Sequence, residues 1–210
     1  MEYLGVADGE YTAEYVVNRS RFICTVTRAA DVEAGFEFVQ KIRRRYPDAT
    51  HNPYALIGTP ESGAFRFSDD GEPQGTTGAP IMNAVRMQSL YCTAVVVTRY
   101  FGGIKLGAGG LVQAYSTATA MGLAAAEIVR YRLSAVYTLE IGYSEYKGLE
   151  QVLRAAEAKV LDTEYSDSVK VTFSVPQEAE DNLKRAIMAL TAGQAERLTE
   201  IERKYITYKR

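Results

Sequence analysis

Two short stretches of this 210-residue chain concentrate side chains able to do chemistry. The first runs from Arg66 to Pro80. It places Asp69, Asp70 and Glu72 within four positions, just after Ser68 and just before a turn rich in Gly and Thr. Three carboxylates brought together and dried cannot all stay ionised without a cation, a basic partner or water. An EF-hand would need D-x-[DN]-x-[DN]-G and a later glutamate, and that spacing is absent. An acidic surface turn accommodates the same residues. The second stretch, Arg99 to Leu111, holds Gly102, Gly103, Gly107, Gly109 and Gly110 between an apolar run and an Ala-rich run. Free amides at the start of a following helix, with Arg99 and Lys105 nearby, suit an anion such as phosphate. The Walker pattern fails because no GK[ST] follows at the required spacing, and the GxGxxG pattern fails at Val112. A tight turn that lets a helix pack on a sheet would use the same glycines, so both readings stay open.

His51 is the only histidine. A zinc site with two or three histidines is excluded, and Cys24 and Cys92, with no CxxC, cannot complete one. Any serine or cysteine nucleophile would need His51 as its base, and no G-x-S-x-G elbow is present. Both cysteines lie in apolar runs and are expected as buried thiols of a reducing compartment. No metal and no cofactor is implied.

Several elements must hold these residues. Glu10–Val17 and Ser20–Thr27 form a hairpin turning at Asn18-Arg19. Asp31 caps a helix over Val32–Arg45, with Val32, Phe36, Val39, Ile42 and Tyr46 on one stripe. The Arg43-Arg44-Arg45 run at its end suits the macrodipole; a phosphate patch is the sharper alternative. Ala49–Ile57 is expected as a strand carrying His51, and Gly63–Phe67 as its partner. Pro80 can open a short helix. Tyr91–Thr98 lacks alternation and is expected to be buried on both faces. A helix is expected over Leu111–Arg130.

The texture changes near Arg130–Leu133, which divides the chain into 1–132 and 133–210. The second part reads β-α-β-β-α-β: a strand over Ala135–Tyr143, a helix capped by Ser144, strands over Val160–Tyr165 and Ser168–Val175, a helix from Pro176, and a last strand within Glu196–Tyr208. That order is ferredoxin-like, and the fold class is α+β.

Four segments carry a resemblance: S-R-F (Ser20–Phe22), P-D-A-x-H (Pro47–His51), S-D-D-G-E-P-x-G-T-x-G-x-P (Ser68–Pro80) and R-Y-F-G-G-x-K-L-G-x-G-G-L (Arg99–Leu111). In these the chain resembles the IMPACT family in its bacterial, YigZ-like form, over nearly its whole length. The resemblance implies a first domain like the second domain of ribosomal protein S5. It implies a ferredoxin-like second domain similar to the last domain of translocating elongation factors. It also implies a cleft of His51, Ser68, Asp69, Asp70, Glu72, Arg99 and Lys105. Where family members often carry a second histidine before the PDA motif this chain has Tyr46, and Asn52 follows His51, which speaks against a two-histidine mechanism. Eukaryotic members regulate translation through an added N-terminal interaction domain that has no counterpart in these 210 residues.

The resulting expectation is a non-enzymatic, translation-associated protein that binds RNA, the ribosome or a translation factor, with no sequence-specific DNA binding. The alternative is a small-molecule enzyme acting on a phosphorylated substrate or nucleotide, in which the acidic trio holds Mg²⁺, the glycine turn a phosphate and His51 a proton. In a third reading both glycine segments are structural and a protein partner binds the second domain's sheet. A net charge of −2 argues against coating nucleic acid by bulk charge, but leaves room for a local basic site. Met1–Gly5 has no basic segment leading into an apolar one, and no run approaches the ~18 apolar residues of a membrane helix. A cytoplasmic location without membrane contact is expected.

Overall fold

The computed structural model describes residues 2–194 and 197–208. The chain forms two compact units, one over Tyr3–Arg130 and one that takes in the described residues from Tyr131 to Tyr208.

The first unit is built on an antiparallel sheet of order β2-β3-β6-β4-β5. Its strands are β2 (Glu10–Val17), β3 (Ser20–Arg28), β4 (Tyr54–Ile57), β5 (Phe65–Ser68) and β6 (Thr93–Tyr100). Asn18 and Arg19 turn the β2–β3 hairpin with φ of 46° and 61°, the backbone of a two-residue turn that matches strand twist. Helix α1 (Val32–Arg45) covers one face, where Phe38, Val39 and Ile42 meet Tyr54, Leu56, Ala94 and Val96. Helices α2 (Gly78–Met87) and α3 (Gly107–Ala125) belong to the opposite core with Val95, Val97, Ala55 and Ile57. Burial on both faces is why β6 shows no polar alternation. Asp31 caps α1 by accepting the Ala34 amide at 2.7 Å. Gly122 lets α3 lie close on β3, since a Cβ there would stand 2.3 Å from Cys24 Sγ. Both cysteines are free and buried, and burial pushes the Cys24 thiol up to about 12.

Two expected elements are corrected. The strand expected over Ala49–Ile57 is regular only from Tyr54, with His51 held by an isolated bridge to Arg99. Pro53 has no amide to donate, and buried Asn52 turns its side chain to accept the Thr98 hydroxyl at 2.7 Å. The helix expected over Leu111–Arg130 starts at Gly107 and stops at Ala125. Ile128–Arg130 instead open the long strand β7 (Ile128–Ile141), where β-branched residues are at home.

The second unit follows β7 with α4 (Tyr143–Ala155), β8 (Lys159–Tyr165), β9 (Val169–Pro176), a short 3₁₀ turn, α5 (Glu180–Leu190) and β10 (Leu198–Tyr208). β10 pairs with β7, β7 with β9 and β9 with β8. That is the 4-1-3-2 order of a ferredoxin-like sheet; β1 (Glu2–Val6) also pairs with β7. Val169, Val171, Phe173 and Val175 face the helices alongside Leu149, Leu153, Leu183 and Ile187. Gly142, not Ser144, caps α4, and its amide donates to Glu145 Oε2 at 2.9 Å. Glu196, where the expected last strand begins, lies outside the described residues.

Candidate functional site

The acidic turn and the glycine turn meet in the first unit. They line a cavity of about 430 Å³ whose wall includes His51, Glu72, Pro73, Arg99, Phe101, Lys105 and the first turn of α3. The three carboxylates do not converge within it, because each does separate structural work.

Asp69 organises the entry to α2. Its carboxylate accepts the amides of Gly75 (2.9 Å), Thr77 (3.0 Å) and Gly78 (2.9 Å), and the Thr77 hydroxyl at 2.9 Å. Burial alone would raise its pKa; the Gly75, Gly78 and Thr77 donors outweigh that and hold it below the ordinary carboxylate range. Asp70 bends the chain the other way, in the left-handed region at φ 48°. Its carboxylate accepts the Asn52 amide at 2.6 Å and pairs with Arg43, while its own amide donates to Ser68 Oγ at 3.1 Å. Glu72 is buried and ion-paired with buried Arg99, Nη1 to Oε1 2.6 Å, and the same oxygen accepts the Tyr115 hydroxyl at 2.8 Å. Burial first, and then the Glu72 charge, drive the Tyr115 phenol far above its usual pKa. The trio therefore does not form the joint cluster that the alternative enzyme reading would use for Mg²⁺: among the described residues no three His, Cys, Asp or Glu side chains gather to hold a metal ion.

Asp70 also orients the histidine. His51 Nδ1 stands 2.8 Å from the Asp70 carbonyl oxygen. A carbonyl only accepts, so Nδ1 carries the proton and Nε2 of the neutral ring carries the lone pair. The turn that aims the carbonyl needs Gly71 at φ 85°, where a Cβ would also press to 3.3 Å from Nδ1.

The glycine turn divides into a packing part and an open part. The Gly102 amide donates to Ser20 Oγ at 3.2 Å, and a Cβ there would stand 2.0 Å from the Arg19 carbonyl carbon. Gly102 thus serves the contact with the hairpin rather than an anion. Gly103 and Gly107 adopt φ of 83° and 71°, and around them and Gly109 a Cβ would meet nothing within 4 Å. A Cβ at Gly110 would meet only the Leu106 side chain, at 3.1 Å. Leu106, the residue before α3, offers no side-chain cap to the first-turn amides. Lys105 is exposed and makes no ion pair with any described carboxylate. Arg99, held between Phe22 and Phe101 at 5.4 Å from each ring centroid, keeps a buried Nε with no partner among the described residues. Of the arginine run on α1, Arg43 pairs with Asp70 and Arg45 with Glu10 at 2.6 Å.

Four supporting residues were not among those expected in the cleft. Thr50 accepts the Phe101 amide at 3.1 Å and ties the histidine segment to the glycine turn. Ser20 holds Gly102, Asn52 holds Thr98, and Tyr115 holds Glu72. Ser20 and Thr50 lie within the S-R-F and P-D-A-x-H segments, and Tyr115 lies four residues past Leu111 on the buried face of α3.

A buried ion pair under a cleft that joins an acid-rich turn to a glycine-rich helix start, followed by a ferredoxin-like unit, defines a two-unit α+β architecture. The Impact N-terminal domain family matches residues 18–123, and a domain of unknown function, DUF1949, matches residues 139–194. The IMPACT family member YvyE of Bacillus subtilis (strain 168) is 34% identical over 183 residues, covering 87% of this chain and 84% of that protein. The IMPACT family member YigZ of Escherichia coli (strain K12) is 35% identical over 162 residues, covering 76% and 79%. The chain belongs to the IMPACT family. A crystal structure described as that of a hypothetical protein superimposes with a TM-score of 0.64 at 30% identity, over 96% of this chain and 98% of that one. No described helix is long and apolar enough to cross a membrane.

Proposed function

We propose that this chain is a non-enzymatic, translation-associated RNA-binding protein, and that the cleft at the start of α3 takes a phosphate of the RNA. One observation carries the reading: every carboxylate near the cleft is spent on an internal partner, while Lys105 and the uncapped first turn of α3 are not. Glu72 and Arg99 cancel, so the remaining formal charge at the wall is that of Lys105. Helix amides add to it, since the start of a helix carries partial positive charge. Phe101, Leu106, Leu111 and Pro73 supply apolar wall beside that charge, a lining suited to the sugar and base next to a phosphate.

The test is fluorescence anisotropy with a short single-stranded RNA as ionic strength rises. Affinity is expected to fall with a log–log slope of roughly −0.7 for each phosphate engaged, and Lys105→Ala to make that slope shallower by about one contact, across sequences. Absence of binding by the wild type at low ionic strength removes the proposal.

A second reading rests on His51. A ring whose Nδ1–H donates to a backbone carbonyl presents Nε2 as a base, an arrangement that an enzyme acting on a phosphorylated small molecule would use. With the acidic trio dispersed, Glu72 is its one member lining the cleft, and it is already paired with Arg99. A thermal-shift screen of nucleotides and phosphorylated metabolites separates the two readings: stabilisation by a small phosphorylated ligand without RNA binding favours the enzyme.

A further inference from the structure

Among the described residues, the sheet of the first unit ends at β5, which has β4 on one side and no strand on the other. Phe65 and Phe67 lie two positions apart on β5 and so share a face. Their register partners Ile57 and Ala55 belong to the core beneath α2 and α3, yet the two phenylalanines are 50% and 43% exposed. Their rings are within 7° of parallel, with centroids 6.5 Å apart. The Arg86 guanidinium, from the last turn of α2, lies 4.3 Å from the Phe65 centroid, and Arg66 on the other face of the strand lies 5.2 Å from Phe36. Neither arginine is ion-paired with a described carboxylate.

Aromatic rings left open on a sheet edge invite a partner, and the details favour one kind. β5 is only four residues long, Phe65–Ser68, shorter than the usual strand of about five or six. It therefore offers little backbone for an added peptide strand or a second copy of the chain. Parallel ring faces beside the Arg86 guanidinium, which pairs with no described carboxylate, match a flat base attached to phosphate.

We infer that Phe65 and Phe67 form a stacking platform for an unpaired nucleobase of single-stranded RNA, with Arg86 positioned for the neighbouring phosphate. This rests on the RNA reading above and adds a second contact within the same unit.

The experiment titrates the full chain into a single-stranded oligoribonucleotide carrying 2-aminopurine, at low ionic strength. Inorganic polyphosphate of matched charge is the second probe. Wild type is expected to quench the 2-aminopurine. Phe67→Leu and Phe65→Leu keep apolar bulk but lose the ring, and are expected to lose the quenching and to weaken RNA binding about tenfold or more. Phe67→Tyr is expected to restore both. Polyphosphate binding is expected to be unchanged in the leucine variants and reduced in Lys105→Ala. Leucine variants that quench and bind like wild type overturn the platform alone, as does an equal loss of polyphosphate binding. Self-association abolished by Phe67→Leu with RNA binding intact assigns the edge to a second copy and also overturns it. Failure of the wild type to bind the oligonucleotide removes the platform and the RNA reading together.

Discussion

Replacing Glu72 by alanine is expected to destabilise the first unit far more than loss of a surface ion pair. The Glu72 and Arg99 side chains are 4% and 6% exposed, and Glu72 Oε1 accepts from both Arg99 and the Tyr115 hydroxyl. An exposed pair contributes ~0–1 kcal/mol. Removing one member of a buried pair costs ~3–5 kcal/mol, mostly because the other charge stays behind uncompensated. A Tyr115 hydroxyl without its acceptor adds ~1–3 kcal/mol. Contributions at one oxygen do not sum, so the expected loss is about 4 kcal/mol. Glu72→Gln keeps an acceptor in place and is expected to cost about half as much. Glu72→Met combined with Arg99→Met removes the stranded charge and is expected to recover at least ~1 kcal/mol relative to Glu72→Ala. Urea unfolding read by pulsed hydrogen exchange measures this cleanly. Peptides from β6 and α3 report the first unit, and peptides from β9 give a reference inside the same molecule. A loss below ~1 kcal/mol, or a double variant no more stable than Glu72→Ala, would refute the reasoning.

Three further substitutions test the scaffold. Asp69→Ala strips four donors of their acceptor at the start of α2 and is expected to cost about 2–3 kcal/mol near neutral pH. Because the folded-state pKa of Asp69 is lowered, its stabilisation is complete above the unfolded value near ~3.9 and disappears as pH falls through the folded value. Urea midpoints of wild type and variant are therefore expected to converge in acid; a constant gap would show that Asp69 acts by shape alone. Gly102→Ala and Gly109→Ala are expected to diverge in thermal denaturation. The first forces a Cβ to within 2.0 Å of Arg19 and lowers the melting temperature, whereas the second meets nothing within 4 Å and stabilises α3 by ~0.5–1 kcal/mol. Equal effects would mean that the glycine turn does not divide into packing and open parts.

The elements most legible in the sequence are those whose residues report their own burial. β6 shows two-sided burial through its unbroken apolar run, and β9 shows one-sided burial through Val169, Val171, Phe173 and Val175. Both patterns arise from local geometry, with alternate side chains on opposite faces. Less legible is anything decided by a single backbone torsion or a distant partner. Nothing in S-D-D-G-E announces that Asp70 takes φ 48° while Asp69 turns back toward Gly78. The resulting divergence sends neighbouring carboxylates to three destinations. Likewise, the helical periodicity of Leu111–Arg130 ran on past Ala125 because Ile128 and Val129 fit a helix stripe as well as a strand. Pairing in a sheet, a non-local event, decided between them.

The dispersal of the carboxylates also changes what the net charge means. Read as a bulk quantity, −2 weighs against a polyanion partner. In the structure, negative charge near the cleft is neutralised at short range by Arg43 and Arg99 and by the amides at the start of α2. Screening over ~8–10 Å at physiological salt removes most of the influence of distant acids. An incoming phosphate therefore meets Lys105, the open end of α3 and, at the sheet edge, Arg86. If the proposed RNA site is right, such a surface engages few phosphates, so its affinity would depend only modestly on salt and its selectivity would come more from contacts with bases than from charge. On that proposal the acids of the motif build the turn and hold the arginines, while the open groups beside them carry the opposite sign.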